Sequence, residues 1–249
     1  MRALIIGLGL IGGSIGMRLR ARGWYVAYND DRVDLDDARA AGAADEKRDD
    51  VHDRDFDLAI LATPVDAAIE EGRQLNVDVA TSVCSVLGAL RDQVFTKTFV
   101  AGHPMAGSHE HGIHAARADL FEGKQWFVDS RHPLVEQMIR DCGATMTVVD
   151  PRKHDAGVAA TSHLPQLLST ALAAYLNELD VVQFAGSGLR DFLRLAQSHP
   201  SVWLPVFAAN RDAIVVHMRD VVRHAERIVD GDRQLFFNAL DFIDKLPGE

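Results

Sequence analysis

The chain has 249 residues, of which 47% are hydrophobic and 25% charged, a composition typical of a globular protein with one large domain or two modest ones. Its formal net charge of −10 argues against nucleic acid as a partner. No apolar run is long enough to cross a bilayer, and Cys84 and Cys142 have neither disulfide-framework nor metal-ligand spacing. We therefore expect a cytoplasmic protein, without membrane or nucleic-acid partners, that holds any anionic substrate in a local basic pocket.

The first 150 residues alternate short apolar runs with helical stretches. The apolar runs at 2–6, 25–28 and 58–62 are typical of buried strands, and helical patterns follow the first and the third. Because the alternation continues to residues 145–149, we predict a doubly wound α/β domain built on one parallel sheet. The charge-dense segment 45–57 is predicted to be a solvated loop.

The pattern changes after Asp150. Helical periodicities cover residues 156–179, 189–197, 201–229 and 233–246, and strand signals almost disappear. We therefore place a domain boundary near Asp150 and predict a first domain over 1–150 and an all-helical second domain over 151–249. The apolar faces of these helices exceed what so small a domain buries alone, which favours a homodimer.

A glycine-rich loop joins the first strand to the first helix. A Gly-x-Gly-x-x-Gly pattern at residues 7–12 follows the strand directly, and acidic residues stand at the usual distance downstream. Such glycines let the backbone approach a pyrophosphate, which the N–H groups and positive end of the helix then bind. The pattern predicts a Rossmann-like dinucleotide site whose loop contacts are the following: Gly7, Leu8, Gly9, Leu10, Ile11 and Gly12.

The end of the second strand bears on which dinucleotide is bound. Asn29 occupies the place where an acidic residue commonly accepts hydrogen bonds from the ribose hydroxyls, and Asp30 follows it. A 2′-phosphate beside Asp30 and Asp31 would meet like charge unless Arg32 offset it, so NAD is favoured and NADP stays an alternative. Two further residues end a core strand, either contacting the cofactor or forming an ordinary turn: Thr63 and Pro64.

The hexapeptide Gly-His-Pro-Met-Ala-Gly at 102–107 contains the candidate catalytic residue. Pro104 disfavours a helical conformation for His103, which places the imidazole on an extended loop after a short strand at 99–101. A histidine at the carboxyl end of a strand lies where open α/β sheets bind ligands, whereas a histidine that bonds the backbone of a tight turn is the alternative. The histidines of the following loop lack ligand partners at metal spacing, so we expect no metal site: His109, His111 and His114.

Two arginines late in the chain are candidates for binding an anion. Arg190 and Arg194 are four residues apart, which predicts that they share one helix face. They follow a Gly-Ser-Gly at 186–188, so we place them at the positive end of that helix, where a bound anion would offset their charge. Pairing with Asp191 or with surface acids is the alternative.

Four motifs, taken in order and spacing, resemble those of the prephenate and arogenate dehydrogenases of tyrosine biosynthesis. They are the glycine loop at 7–12, the hexapeptide at 102–107, Ser-His-Leu-Pro at 162–165 and Arg-Asp-Phe-Leu-Arg-Leu-Ala at 190–196. The resemblance spans nearly the whole chain and implies a dinucleotide domain followed by a helical dimerisation domain. It also implies NAD-dependent oxidative decarboxylation of prephenate, a dicarboxylate, to 4-hydroxyphenylpyruvate.

Two other functions stay open at this point. Arogenate dehydrogenase or dual-substrate cyclohexadienyl dehydrogenase activity is the nearest alternative, because arogenate carries an amino group in place of the side-chain ketone. A nucleotide-sensing binding protein without turnover is the more distant alternative.

The resemblance also implies roles for individual residues. His103 resembles the catalytic histidine that takes the proton of the ring hydroxyl, and Ser85 resembles a serine that contacts the same hydroxyl. His163 resembles a histidine of the substrate pocket. Arg194 resembles the guanidinium that binds substrate carboxylate, with Arg190 as a second basic position. Around Ser85 the family often shows Asp-x-Gly-Ser-x-Lys, of which this chain keeps only the serine.

Overall fold

The computed structural model describes residues 1–51, 55–91, 93, 97–107 and 110–246. Its central sheet has six parallel strands in the order β3-β2-β1-β4-β5-β6. The strands are β1 Arg2–Ile6, β2 Tyr25–Asn29, β3 Glu46–Lys47, β4 Leu58–Leu61, β5 Val79–Ser82 and β6 Thr98–Val100. The order reverses between β1 and β4, which places a ligand crevice at the carboxyl ends of these strands and confirms the doubly wound fold.

Four of the helices that cover the two faces of the sheet each follow one of its strands. These are α1 Leu10–Ala21, α2 Leu35–Ala40, α3 Val65–Gln74 and α4 Gly88–Arg91. Alternate residues of β1 pack into two separate cores, with Ile5 on one face and Leu4 on the other, and both side chains are fully buried. Each such aliphatic side chain contributes about 1.5–3 kcal/mol of burial energy, which holds the strand ends in fixed positions.

The last strands of this half form a second sheet, so the prediction of one continuous parallel sheet is wrong for them. β7 Gly102–Pro104 pairs antiparallel with β8 Gln125–Val128, which pairs parallel with β9 Thr145–Val148. A 3-10 turn at Ile113–Ala115 and helix α5 Pro133–Asp141 complete this part. His103 therefore lies in a short strand instead of a loop. The sheet that this strand joins was not predicted, because the hydrophobic pattern along a strand does not specify its pairing partner.

The charge-dense segment also differs from its prediction. Glu46 and Lys47 pair with Ala27 and Tyr28 as an edge strand, where charged side chains reach water on the open side. Residues 52–54 of the segment lie outside the described part of the chain.

The region after Asp150 is helical, but three of the four predicted helices are interrupted. The elements are α6 Pro151–Val158, a π-helical turn Ala159–His163, α7 Leu164–Asn177, a 3-10 turn Val182–Phe184, α8 Ser187–Phe192, a 3-10 turn Leu193–Gln197, α9 Pro200–Ala209, α10 Arg211–Val229 and α11 Arg233–Ile243. Pro165 lies in the first turn of α7, where its missing N–H costs least, and Asn210 separates α9 from α10. Within the described ranges, no helix combines the length and apolarity that a bilayer crossing requires.

Helix α11 carries a large uncovered apolar face. Five of its apolar side chains are at least half exposed: Phe236, Phe237, Leu240, Phe242 and Ile243. Exposed patches of this kind mark interaction surfaces, which is consistent with association of the helical region.

Candidate active site

The glycine loop has the geometry of a pyrophosphate cradle. Gly7 has a φ of +91°, and a Cβ there would lie 2.7 Å from Cγ2 of Thr63. A Cβ on Gly12 would lie 2.0 Å from the carbonyl oxygen of Gly7, whereas a Cβ on Gly9 would meet nothing within 4 Å. No side chain caps the N-terminus of the twelve-residue α1 at Gly9. The loop therefore leaves an open space beside uncapped N–H groups, which fits a dinucleotide phosphate.

The residues at the end of β2 divide their roles differently from the prediction. The Asn29 amide donates to the carbonyl of Arg48, 2.8 Å away, so this side chain is held along the sheet edge. The Asp30 carboxylate instead accepts from Leu8 N–H at 2.9 Å through Oδ2 and from Arg32 N–H at 2.9 Å through Oδ1. Asp30 thus fixes the glycine loop, and its Oδ2 keeps a lone pair for a further donor, whereas Oδ1 also accepts from Nε of Arg32 at 3.4 Å.

The turn after β4 lies on the other side of the glycine loop. The Thr63 hydroxyl donates to Oε2 of Glu71 at 2.5 Å, and Pro64 begins helix α3 as its N-cap. Burial raises the pKa of Glu71, and the nearby Asp30 raises it further. Thr63 therefore lies beside the glycine loop on the β4 side, with Pro64 next to it in the chain.

His103 is linked to a chain of two further side chains. Its Nδ1 lies 3.0 Å from Nε2 of His154, and Nδ1 of His154 lies 2.8 Å from Oδ1 of Asp155. The His103 and His154 rings meet edge to face at 5.1 Å between centroids. Helix α6 supplies His154 and Asp155 one after the other, so a single element delivers both partners to β7.

The hydrogen bonds of this relay fix the proton positions on both rings. The Asp155 carboxylate only accepts, so Nδ1 of His154 carries a hydrogen, and in the tautomer with a single ring hydrogen Nε2 presents a lone pair. Nδ1 of His103 then donates to that lone pair, which leaves Nε2 of His103 as the free basic nitrogen. Burial lowers the pKa of His103 to about 3, with His154 and His163 lowering it in addition. The ring therefore stays neutral, with Nε2 unprotonated.

The chain segment that contains Ser85 donates two hydrogen bonds to Asp155, the last residue of the relay. The Asp155 carboxylate accepts from the N–H groups of Leu87 and Gly88, both at 2.9 Å. Ser85 lies on the same loop between β5 and α4 and is partly buried. The structure thus brings Ser85 into the neighbourhood of Asp155.

His163 lies in a buried pocket with one nitrogen unpaired. Its Nδ1 lies 3.1 Å from the Asn210 amide nitrogen, which also donates to the carbonyl of Asp155 at 2.7 Å. That contact makes Nδ1 the acceptor, so Nε2 carries the hydrogen, and Nε2 has no partner in the described structure. Burial lowers the pKa of His163 to about 4. An unpaired buried donor is costly, which makes this nitrogen a candidate for a ligand contact.

Arg190 and Arg194 do not share a continuous helix face, which corrects the sequence prediction. α8 ends at Phe192, and Arg194 lies in the following 3-10 turn, so the two arginines belong to different elements with different helical winding. Arg190 lies in the last turn of the six-residue α8 and not at its positive end, so the helix-dipole argument for a bound anion does not apply. Both side chains are exposed, and neither forms an ion pair with a described acidic residue.

The backbone around the arginines is anchored to α7. Ser169 Oγ donates to the carbonyl of Phe192 at 2.9 Å and accepts from Ala196 N–H at 3.1 Å. Gln166, 3% exposed, donates to the carbonyl of Leu195 at 2.8 Å. The 3-10 turn that carries Arg194 is therefore bonded to α7, beginning about one helical turn after His163. No described contact joins the Arg194 side chain to His163 or His103.

Sequence reasoning missed the roles of His154, Asp155 and Asn210. The adjacent histidine and aspartate just after the Asp-Pro helix start were a usable signal, since His-Asp pairs often orient a catalytic imidazole. His109 lies outside the described residues, and the described ones contain no group of three potential metal ligands.

Two family models match the chain. The model "Prephenate dehydrogenase, nucleotide-binding domain" matches residues 15–138, and "Prephenate dehydrogenase, dimerization domain" matches residues 150–240. The chain belongs to the prephenate dehydrogenase family. It is therefore an oxidoreductase built on a nucleotide-binding domain, and its substrate is a small molecule.

Individual relatives agree with this family membership. A prephenate dehydrogenase of Lactococcus lactis is 29% identical over 91% of this chain and 70% of its own length. A cyclohexadienyl dehydrogenase of Zymomonas mobilis is 27% identical over 85% of this chain and 81% of its own. The crystal structure of a prephenate dehydrogenase from A. aeolicus, in complex with hydroxyphenyl propionate and NAD+, superposes with a TM-score of 0.82 at 25% identity, covering 98% of this chain and 96% of that one.

Proposed function

We propose that this member of the prephenate dehydrogenase family catalyses the NAD-dependent oxidative decarboxylation of prephenate to 4-hydroxyphenylpyruvate. The observation that carries the proposal is the relay from Asp155 through His154 to His103, which leaves Nε2 of His103 as a neutral base. The named activity of the relatives, and the ligands of the A. aeolicus structure, support the choice of substrate and cofactor.

The cofactor site is proposed at the carboxyl ends of β1, β2 and β4. The glycine loop at 7–12 binds the pyrophosphate, Asp30 accepts from a ribose hydroxyl, and Thr63 with Pro64 lines the opposite wall. Asn29 contributes by holding the end of β2. NAD supplies the hydride acceptor for the reaction.

His103 removes the proton from the ring hydroxyl in the proposed mechanism. Nε2 accepts this proton, and the resulting imidazolium is stabilised through Nδ1 by His154 and the buried Asp155 carboxylate. Ser85 is proposed to hold the same hydroxyl in line. Loss of the ring carboxylate makes the ring aromatic, so the protein mainly has to orient the substrate and receive one proton.

The dicarboxylate substrate needs donors away from the base. We assign the unpaired Nε2–H of His163 to one substrate oxygen and the exposed guanidinium of Arg194 to a carboxylate, with Arg190 as a second cation. The absence of ion pairs between these arginines and described acids leaves their charge free for an anion.

A direct assay tests the proposal. Purified protein is mixed with NAD and either prephenate or arogenate, and the absorbance of the reduced cofactor is followed. We expect turnover with prephenate, whereas turnover with arogenate alone would favour the alternative activity. No turnover with either substrate and either cofactor would contradict dehydrogenase function. His103→Asn should keep NAD binding and lower the maximal rate by orders of magnitude.

The domain division and the oligomeric state belong to the same proposal. Residues 1–150 are the dinucleotide-binding domain, and residues 151–249 are a helical domain that forms a cytoplasmic homodimer. The exposed apolar face of α11 supports the dimer. Leu240→Glu should shift the mass measured by light scattering from dimer towards monomer, whereas Asn238→Glu, which adds the same charge to a polar position of α11, should leave the dimer intact. A dimer that survives Leu240→Glu would move the interface elsewhere.

A further inference from the structure

The proposed cofactor site has a second acidic side chain, which comes from α3, the helix that follows β4. Glu71 lies on the second turn of α3 and accepts the Thr63 hydroxyl at 2.5 Å. Thr63 in turn packs against the glycine loop, since a Cβ on Gly7 would lie 2.7 Å from its Cγ2. Glu71 is therefore connected to the loop through Thr63, just as Asp30 is connected to it through Leu8.

Glu71 reaches the glycine loop from the β4 side, across from Asp30 on the β2 side. β2 and β4 flank β1, so the chain ends that follow them lie on either side of the glycine loop. Asp30 raises the pKa of the Glu71 carboxyl, after the larger effect of burial, and Arg32 lowers it. Asp30 and Arg32 follow β2, where the adenosine ribose lies in doubly wound folds. The loop residues that connect Glu71 and Asp30, Gly7 and Leu8, are neighbours in the chain, which brings Glu71 close to that end of the cofactor.

Arg32 is the cation available to a 2′-phosphate at this position. Its guanidinium lies 3.4 Å from Oδ1 of Asp30, and its side chain is 78% exposed, so it has the freedom that a phosphate-binding arginine needs. The sequence leaves the balance between Arg32 and its acidic neighbours open. With Glu71 included, the carboxylates of Asp30 and Glu71 together oppose the positive charge of the Arg32 guanidinium.

We propose that Glu71 is a specificity-determining residue for the cofactor: together with Asp30 it offsets Arg32, and so disfavours the 2′-phosphate of NADP. NAD lacks that phosphate and is not repelled. The bond from Thr63 holds the Glu71 side chain in this position. The inference rests on the proposed cofactor site and adds a selection rule to it.

Binding measured without substrate tests the inference. The dissociation constants of NAD and NADP are determined by calorimetry for the unsubstituted protein, Glu71→Gln and Glu70→Gln. Glu70 is a matched control, because it precedes Glu71 on the same helix, is exposed and lies 3.8 Å from Arg73. We expect Glu71→Gln to reduce the preference for NAD over NADP at least tenfold and Glu70→Gln to change it less than twofold. Equal preferences in the two variants, or equal weakening of both cofactors in Glu71→Gln, would overturn the inference.

Two further measurements separate charge from shape. Glu71→Asp keeps the charge but shortens the side chain away from Thr63, so it should retain most of the discrimination; loss equal to that of Glu71→Gln would overturn a charge-based role. In the unsubstituted protein, higher salt should narrow the preference for NAD, because screening weakens the repulsion of the phosphate. A preference independent of salt contradicts the inference. Failure of the unsubstituted protein to bind either dinucleotide would instead overturn the proposed cofactor site itself.

Discussion

Nδ1 of His103 and Nε2 of His154 lie 3.0 Å apart, and this contact decides which nitrogen of His103 is basic. His154 is the orienting partner because its other nitrogen faces the carboxylate of Asp155 at 2.8 Å. Nε2 of His103 is thereby left free to take a proton. The proposed chemistry depends on residues that touch no substrate atom, which makes the relay testable by substitution.

Replacing Asp155 should reverse the relay. In Asp155→Asn the amide can donate to Nδ1 of His154, which favours the His154 tautomer with hydrogen on Nε2. Nε2 of His154 then donates to Nδ1 of His103, so the hydrogen of His103 moves to its Nε2, which can no longer accept a proton. We expect kcat to fall at least about a hundredfold, with the KM for NAD within about threefold. Asp212→Asn, on the surface of α10, serves as the control. Unchanged kcat in Asp155→Asn would show that His103 needs no relay.

The lowered pKa of His103 predicts how stability depends on pH. The folded protein binds a proton at His103 only near pH 3, whereas an unfolded imidazole does so near its ordinary pKa of about 6.5. Between these values the unfolded state holds more protons, so acidification destabilises the fold, by about 2 kcal/mol from this residue between pH 6.5 and 5. Thermal unfolding of His103→Asn should therefore change less between pH 7 and 5 than that of the unsubstituted protein. Parallel changes would refute the buried, neutral state of His103.

The two glycines of the loop should respond differently to alanine. A Cβ on Gly9 meets open space in the free protein, so Gly9→Ala should fold normally but weaken NAD binding at least tenfold, because the methyl group occupies the phosphate space. A Cβ on Gly12 would lie 2.0 Å from the Gly7 carbonyl, so Gly12→Ala should lower the free energy of unfolding by about 1–3 kcal/mol. Calorimetric NAD titration and thermal melts check both expectations. Full NAD affinity in Gly9→Ala would place the pyrophosphate elsewhere.

His163→Phe isolates the unpaired nitrogen. The phenyl ring keeps the edge-to-face packing on Trp203, where the ring centroids now lie 6.0 Å apart, and it removes a buried donor without a partner. We expect a melting temperature within a few degrees of the unsubstituted protein, because losing the unsatisfied donor offsets the lost bond from Asn210. The KM for prephenate should rise at least about tenfold. A normal KM would remove His163 from the substrate pocket.

The doubly wound half was predictable because its signals are local. An apolar strand entering Gly7-Leu8-Gly9 and opening a helix specifies a strand-loop-helix unit from adjacent residues alone. The same holds for the extended conformation of His103, which Pro104 imposes from the next position. The sheet that β7 joins was not predictable, because its pairing partner in β8 lies more than 20 residues away.

The sequence by itself determined the fold class, the family and the candidate base His103, since these rest on motifs whose residues are neighbours in the chain. Only the tertiary structure decided what surrounds that base. The contact of His103 with His154 spans 51 positions and that of Asp155 with Leu87 spans 68, and both form only when α6 packs against β7 and the loop after β5. Likewise the winding of the turn at Arg194 and the approach of Glu71 to Thr63 depend on packing that no periodicity encodes. Hydrogen bonds act over about 3 Å in space, whereas sequence patterns report spacing along the chain.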